Sequence, residues 1–284
     1  MPSPSFERVR VRWLPLWIIA SALLLLPIRA ALPGLAHGRR WELLSQYTLY
    51  GALLAWILLQ CANAGITLRQ LIGPRPRREE WRLISLALPL IPLAIGSVWL
   101  LWLPLSFLIP DVVQRWVLRH DQPIWNPAMP VSSVFYVMVV VVLAPFVEES
   151  LFRGVLLQRW SLKWGVGRAL LVSSVLFGVL HADILGHTVF AIVMGLLYVR
   201  TRGLWIPMGC HALTNALAVL GQALPWDAKD TITTVAEFRN DWYVGALALA
   251  IGVPLLYAMR SHFWPPRGWA LPSLAPNSDN PIAF

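Results

Sequence analysis

Eight stretches of this chain run for about twenty residues with few or no charged side chains, and no other feature limits its fold so strongly. They lie at 13–32, 44–66, 82–108, 131–160, 167–185, 187–200, 203–223 and 242–260. A helix needs about 20 apolar residues to cross the hydrocarbon core of a bilayer. The pattern therefore predicts an all-α fold, a polytopic membrane helical bundle of about eight transmembrane helices. Composition agrees. Of 284 residues, 57% are hydrophobic and 13% charged, and there are sixteen Trp, a residue that collects at membrane interfaces. Mean hydropathy is +0.62, far from that of a soluble domain. No repeat of 20–50 residues is visible. Three segments are expected: 1–130 with the first three spans and an outer loop, 131–223 with spans four to seven as the functional core, and 224–284 with an outer loop, the last span and an irregular Pro-rich tail.

The net charge is +9. On a soluble protein that would suggest a nucleic-acid partner. Here the basic residues flank apolar runs, so they read as loop anchors facing the cytoplasm, and the expected surroundings are a lipid bilayer with no nucleic acid. Sixteen of the 23 Lys and Arg flank the N-terminus, the loops after spans two, four and six, and the C-terminus; seven flank the other loops. Both termini are then cytoplasmic, and the loop with Asp227, Asp230, Glu237 and Asp241 is outside. Arg8, Arg10 and Arg12 precede the first span, and no small-residue cleavage site follows it, so it is expected to remain as an uncleaved helix. Cys61 and Cys210 lie in apolar runs outside any CxxC pair and predict core packing.

Against this background, "FVEESLFRG" from Phe146 to Gly154 stands out, since ionisable residues within a span are costly unless paired or wet. Glu149 and Arg153 are four apart in the favourable order for a helical ion pair, which gives Glu149 a structural role. Glu148 points about 100° away and has no local partner. Pro145 removes a backbone N–H just upstream and frees a carbonyl. Two further stretches hold polar groups in spans. "FGVLHAD" places Phe177 and His181 four apart on one face, and "GCHALTN" does the same for His211 and Asn215. Taken singly, each histidine is readily explained as a satisfied core residue. Depth brings them together: Glu148 and His181 lie about equally far from the short loop near residue 164, and His211 enters from the same side. One carboxylate, two imidazoles and a carboxamide in a membrane cavity can activate water and stabilise an oxyanion. Glu148, His181 and His211 can equally leave a fourth position open on a zinc ion, and the residues alone do not choose. His187 is six from His181, off its helical face, and is expected to cap a short outer loop, with Asp183 solvated beside it. His37, His120 and His262 read as surface residues.

These motifs resemble those of the CPBP family of membrane CAAX-protease and bacteriocin-processing enzymes, also called the abortive-infection family, which includes the Ras-converting prenyl-protein endopeptidases. Its EExxxR pattern is matched by Glu148, Glu149 and Arg153, its FxxxH by Phe177 and His181, and its HxxxN by His211 and Asn215. The likeness covers about 131–223; the first three spans carry no matching motif. It implies an intramembrane endopeptidase acting on a membrane-embedded or lipid-anchored protein or peptide, in a bacterial inner membrane. It also implies that Glu148 and His181 activate water, that His211 and Asn215 hold the oxyanion, and that Glu149, Arg153 and Phe177 support the site. A glutamate-type mechanism without a cofactor is favoured over zinc, because Asn215 suits an oxyanion donor better than a metal ligand. Two other readings compete: a catalytically idle scaffold or chaperone of the same family, and a transporter with a Glu/His proton relay. No HExxH, GxSxG or GxGD motif of other intramembrane proteases is present.

Overall fold

The structure, a computed structural model, describes residues 5–32, 34, 38–118, 124–223, 232–265 and 271. Among them every regular element is helical. Eight helices account for the eight apolar runs: α1 Phe6–Ala31, α2 Gly38–Ala64, α3 Glu80–Leu108, α4 Pro130–Trp164, α5 Val166–Val179, α6 Ile184–Thr201, α7 Trp205–Ala223 and α8 Trp242–Ala258. Of these, α1, α2, α3, α4 and α6 are long and apolar enough to cross a membrane, and α5 and α8 are shorter apolar helices. α7 is 19 residues long and carries the polar groups of the HxxxN motif. The chain is an all-α polytopic membrane bundle.

The bundle is apolar on both its inside and its outside, as a bilayer solvent requires. Leu16, Ile19 and Leu24 of α1, Leu171 and Val179 of α5, and Leu247 and Ile251 of α8 are exposed. The centre is α6, where every residue from Val193 to Val199 is buried. Its Met194 and Leu197 are fully enclosed, with Phe152 and Leu156 of α4 in the same core. Cys61 and Cys210 are buried there too, as expected.

α4 and α5 are joined by Gly165 alone, whose φ of +78° is open to glycine at little cost and strained for other residues. The join between α5 and α6 departs from the expected boundaries. The runs 167–185 and 187–200 suggested a break near residue 186, whereas α5 ends at Val179 and α6 begins at Ile184. The cause is Asp183, whose carboxylate accepts the Gly186 N–H at 3.0 Å and caps the new helix. His181 and Asp183 therefore sit in a tight turn.

That turn depends on how closely α5 and α6 approach. A Cβ on Gly178 would lie 2.1 Å from the Thr188 hydroxyl and 2.6 Å from the Ile184 carbonyl oxygen. The second neighbour is backbone and cannot rotate aside. Gly178→Ala is expected to lower stability by about 1–3 kcal/mol, the scale of overpacking. A thermal melt in detergent checks it, and an unchanged midpoint would show that the two helices can part without loss.

Of the outer-loop acids, Asp227 and Asp230 lie outside the described residues. Glu237 caps the short helix Val235–Asn240 in a reciprocal arrangement with Thr234. The backbone N–H groups of Thr233 and Thr234 hold its carboxyl below the usual range.

Candidate active site

The site is built on irregularities in α4. Regular helix at Pro130–Met138 widens into a π-helical turn at Val139–Leu143, returns at Ala144–Glu149, and widens again at Ser150–Leu157. Such turns occur often at functional sites. In the first of them the Ala144 N–H bonds back five residues to the Val139 carbonyl. By the same count the Val140 carbonyl would look to residue 145, which is Pro145 and has no N–H. Asn215 of α7 supplies the missing donor: its Nδ2 gives a hydrogen bond of 2.8 Å to the Val140 oxygen. The carbonyl that the sequence says Pro145 must free is thus the point where α7 is tied to α4.

The two adjacent glutamates have different surroundings. Glu149 is fully buried. Its Oε1 accepts from Arg153 Nη1 at 2.8 Å and from His211 Nδ1 at 2.9 Å. Arg153 also donates from Nη2 to the Ala191 carbonyl at 2.9 Å, and its guanidinium lies 5.0 Å from the centre of the Phe177 ring. The ion pair expected between Glu149 and Arg153 is present. Its extension to His211 was not anticipated, because the local spacing accounts for Glu149 without it. Glu149 Oε2 is buried with no hydrogen-bond partner among the described residues.

Glu148 remains 14% exposed on its side chain, which separates it from the sealed Glu149. Its Oε1 accepts the Tyr50 hydroxyl of α2 at 2.7 Å. Its Oε2 lies 3.9 Å from His211 Nε2, close but beyond hydrogen-bond length. His211 therefore lies between the two glutamates, with Nδ1 bound to one and Nε2 turned toward the other.

His181 sits just past the end of α5. Its Nδ1 is 2.8 Å from the Phe177 carbonyl. A carbonyl only accepts, so this contact assigns the ring proton to Nδ1 and leaves Nε2 as the acceptor in the neutral ring. The ring stacks on Phe177 at 4.6 Å. Phe177 in turn meets His211 edge-on at 6.1 Å, so the phenyl ring of the FxxxH motif bridges both histidines and Arg153. No hydrogen bond or ion pair joins Glu148 to His181 among the described residues; they are connected through His211 and Phe177.

His187 does bond the short loop, and it also joins the site. Its ring stacks on His181 at 4.1 Å and within 10° of parallel, and its Nδ1 bonds the Asp183 carbonyl at 2.9 Å. Six-residue spacing separates the two rings only on a continuous helix, and the turn at 180–183 interrupts it. Asp183 is not solvated. It is buried and accepts the Ser97 hydroxyl of α3 at 2.6 Å. Trp102 of α3 donates to the Ala182 carbonyl at 3.0 Å, so α3 holds the turn. His262 is exposed as expected; His37 and His120 lie outside the described residues.

A zinc ion would need Glu148, His181 and His211 to direct free donor atoms at one point. His211 Nδ1 bonds Glu149 and His181 Nδ1 bonds the Phe177 carbonyl, as the non-ligating nitrogen of a zinc-bound histidine commonly does, so only the two Nε2 atoms are left to face an ion. No three His, Cys, Asp or Glu side chains among the described residues gather as a metal-ligating group. The residues as arranged do not fit the ion, and no step is routed through one. What they offer is a partly accessible carboxylate beside an oriented imidazole, a pair able to move a proton to or from water.

Tyr50 is the site residue that sequence reasoning missed. A signal was available: Gln46 and Tyr50 are polar, four apart, and inside the run 44–66. They face α4 together, Gln46 donating to the Tyr136 hydroxyl at 2.9 Å while Tyr50 reaches Glu148.

Comparison with known proteins returns to the same segment. Residues 130–217 match the family model described as "Type II CAAX prenyl endopeptidase Rce1-like". The protein named "Putative membrane peptidase YdiL" of Bacillus subtilis (strain 168) is 33% identical over 87 residues. The match takes in 30% of this chain and 36% of that protein, so the chain spans about a third of the length of the curated relative it matches. No solved structure matches. The resemblance to the CPBP family drawn from the three motifs is borne out over this segment.

Proposed function

Starting from an Rce1-like segment at residues 130–217, we propose that the chain is an intramembrane endopeptidase that hydrolyses a peptide bond in a membrane-embedded or lipid-anchored protein. The observation that carries this reading is the division of labour between adjacent glutamates. Glu149 is sealed and committed to Arg153 and His211, while Glu148 stays partly accessible beside His211 Nε2.

In this mechanism Glu148 takes a proton from water as the oxygen attacks the scissile carbonyl carbon. The carbonyl π electrons move onto oxygen to give a tetrahedral oxyanion. As the C–N bond breaks, Glu148 returns the proton to the departing amine. His181, with Nε2 as its acceptor, assists in holding the water. His211 donates to the oxyanion from Nε2 when its ring carries both protons, since Nδ1–H is committed to Glu149. Asn215 has a second amide N–H beyond the one given to Val140, and that N–H is the other oxyanion donor. Phe177, Glu149 and Arg153 fix the imidazoles. In the cell the proposed setting is a bacterial inner membrane with both termini in the cytoplasm.

The test is cleavage of a membrane-peptide library by purified protein, with and without chelator and with zinc restored. Cleavage that survives chelation supports the glutamate mechanism. Loss to chelator and recovery with zinc would overturn it. Asn215→Ala is expected to slow turnover by about 10²-fold or more if the amide serves the oxyanion. The same change leaves the Val140 carbonyl without its donor, which costs about 1–3 kcal/mol of stability. Turnover and melting point are therefore measured together: a lower melting point with unchanged turnover would reduce Asn215 to a tie between helices.

A further inference from the structure

We infer that Tyr50, on a helix outside the matched segment, is a positioning residue for Glu148. The inference rests on the reading of Glu148 as the group that handles water. Its geometric basis is the hydrogen bond of 2.7 Å from the Tyr50 hydroxyl to Glu148 Oε1 across α2 and α4. The carboxylate has two oxygens and two neighbours. Oε1 is held by the phenol, and Oε2 is left toward His211 Nε2 at 3.9 Å. With one oxygen tied, rotation about the last side-chain bond is blocked, and the free lone pairs of Oε2 face the site. A glutamate without this restraint would have three flexible bonds and, inside a bilayer, could turn toward Arg153, whose field reaches it. The groups facing the carboxylate are then Tyr50 from α2, Arg153 on its own helix, and His211 from α7.

Tyr50 is itself held in place. It packs against the buried core. Its neighbour four residues earlier, Gln46, binds Tyr136, and Tyr47 donates to the Phe135 carbonyl at 3.2 Å. α2 is thus fixed to α4 at three successive points, and the last of them lies on the proposed base. This gives the N-terminal spans a task in the chemistry although none of the family motifs lies there.

The experiment compares wild type, Tyr50→Phe and Tyr47→Phe as full-length protein in detergent. Tyr50→Phe keeps the ring and removes one hydroxyl. Expected are a fall in kcat of about tenfold to a hundredfold, the scale of one lost hydrogen bond to a charged acceptor, a KM within a factor of two, and a normal melting point. A purely structural role would move the melting point instead. A second readout needs no substrate. Dicyclohexylcarbodiimide enters membranes and adds to carboxyl oxygens, and mass spectrometry reads the adduct at Glu148. An oxygen already accepting a phenol reacts poorly, so Tyr50→Phe is expected to raise labelling of Glu148 several-fold while Tyr47→Phe leaves it unchanged. Wild-type labelling and wild-type kcat in Tyr50→Phe would overturn the inference. If no protein cleaves any peptide, the labelling result decides the role of Tyr50 and the inactivity counts against the protease reading alone.

Discussion

Glu148→Gln is expected to yield a protein that inserts, folds and melts like wild type and does not cleave. The amide is nearly the same size, still accepts the Tyr50 hydroxyl, and replaces a side chain that is only partly buried. What it cannot do is take a proton from water. Loss of a general base costs about 10²–10⁴-fold. Measured against a library whose wild-type cleavage is established, that fall should reach background. Retained cleavage would remove Glu148 from the mechanism and turn attention to Glu149.

The largest effect on stability should come from the neighbouring residue. Glu149→Ala removes the acceptor shared by Arg153 and His211 and strands a guanidinium that is 3% exposed. Breaking a buried ion pair from one side costs about 3–5 kcal/mol, because the surviving charge has no compensation. The expected result is a low yield of folded protein and a clearly lower melting point. Glu149→Leu combined with Arg153→Met should recover most of that stability, since replacing both partners by apolar groups is often neutral. The double variant should nevertheless remain inert, because His211 has lost its orienting carboxylate. A Glu149→Ala variant that folds as well as wild type yet is inert would show that the two glutamates have been assigned the wrong way round.

Much of the molecule was legible in its residues, because membrane helices are specified by length and apolarity, two quantities a sequence displays directly. The Glu149–Arg153 pair was legible for the same local reason, since four residues fix a neighbour on a helix. The bond from His211 to Glu149 was not, because it joins positions 62 apart and no short pattern announces a contact between helices. The turn at 180–183 was misplaced because "VLHADIL" contains neither Gly nor Pro. Its one signal is Asp183, a good helix-capping residue that also reads as an ordinary solvated acid. Misplacing it hid both the stacking of His187 on His181 and the burial of Asp183. Tyr50 was overlooked because a tyrosine inside a span looks like an interfacial anchor until its partner is known.

The widened turn at Val139–Leu143 also sets an angular phase. Tyr136 and Glu148 both meet α2, yet they are twelve residues apart, and on an unbroken α-helix twelve residues would leave them about 120° out of line. Five residues wound at the slower pitch of a five-residue hydrogen bond take roughly 90° off that difference. One side of α4 thereby addresses two residues, Gln46 and Tyr50, that sit a single turn apart on α2. α4 works like a gear cut with one wide tooth. Pro145 keeps the tooth wide, and without it a wheel drawn at constant pitch would aim Glu148 away from the helix that holds it.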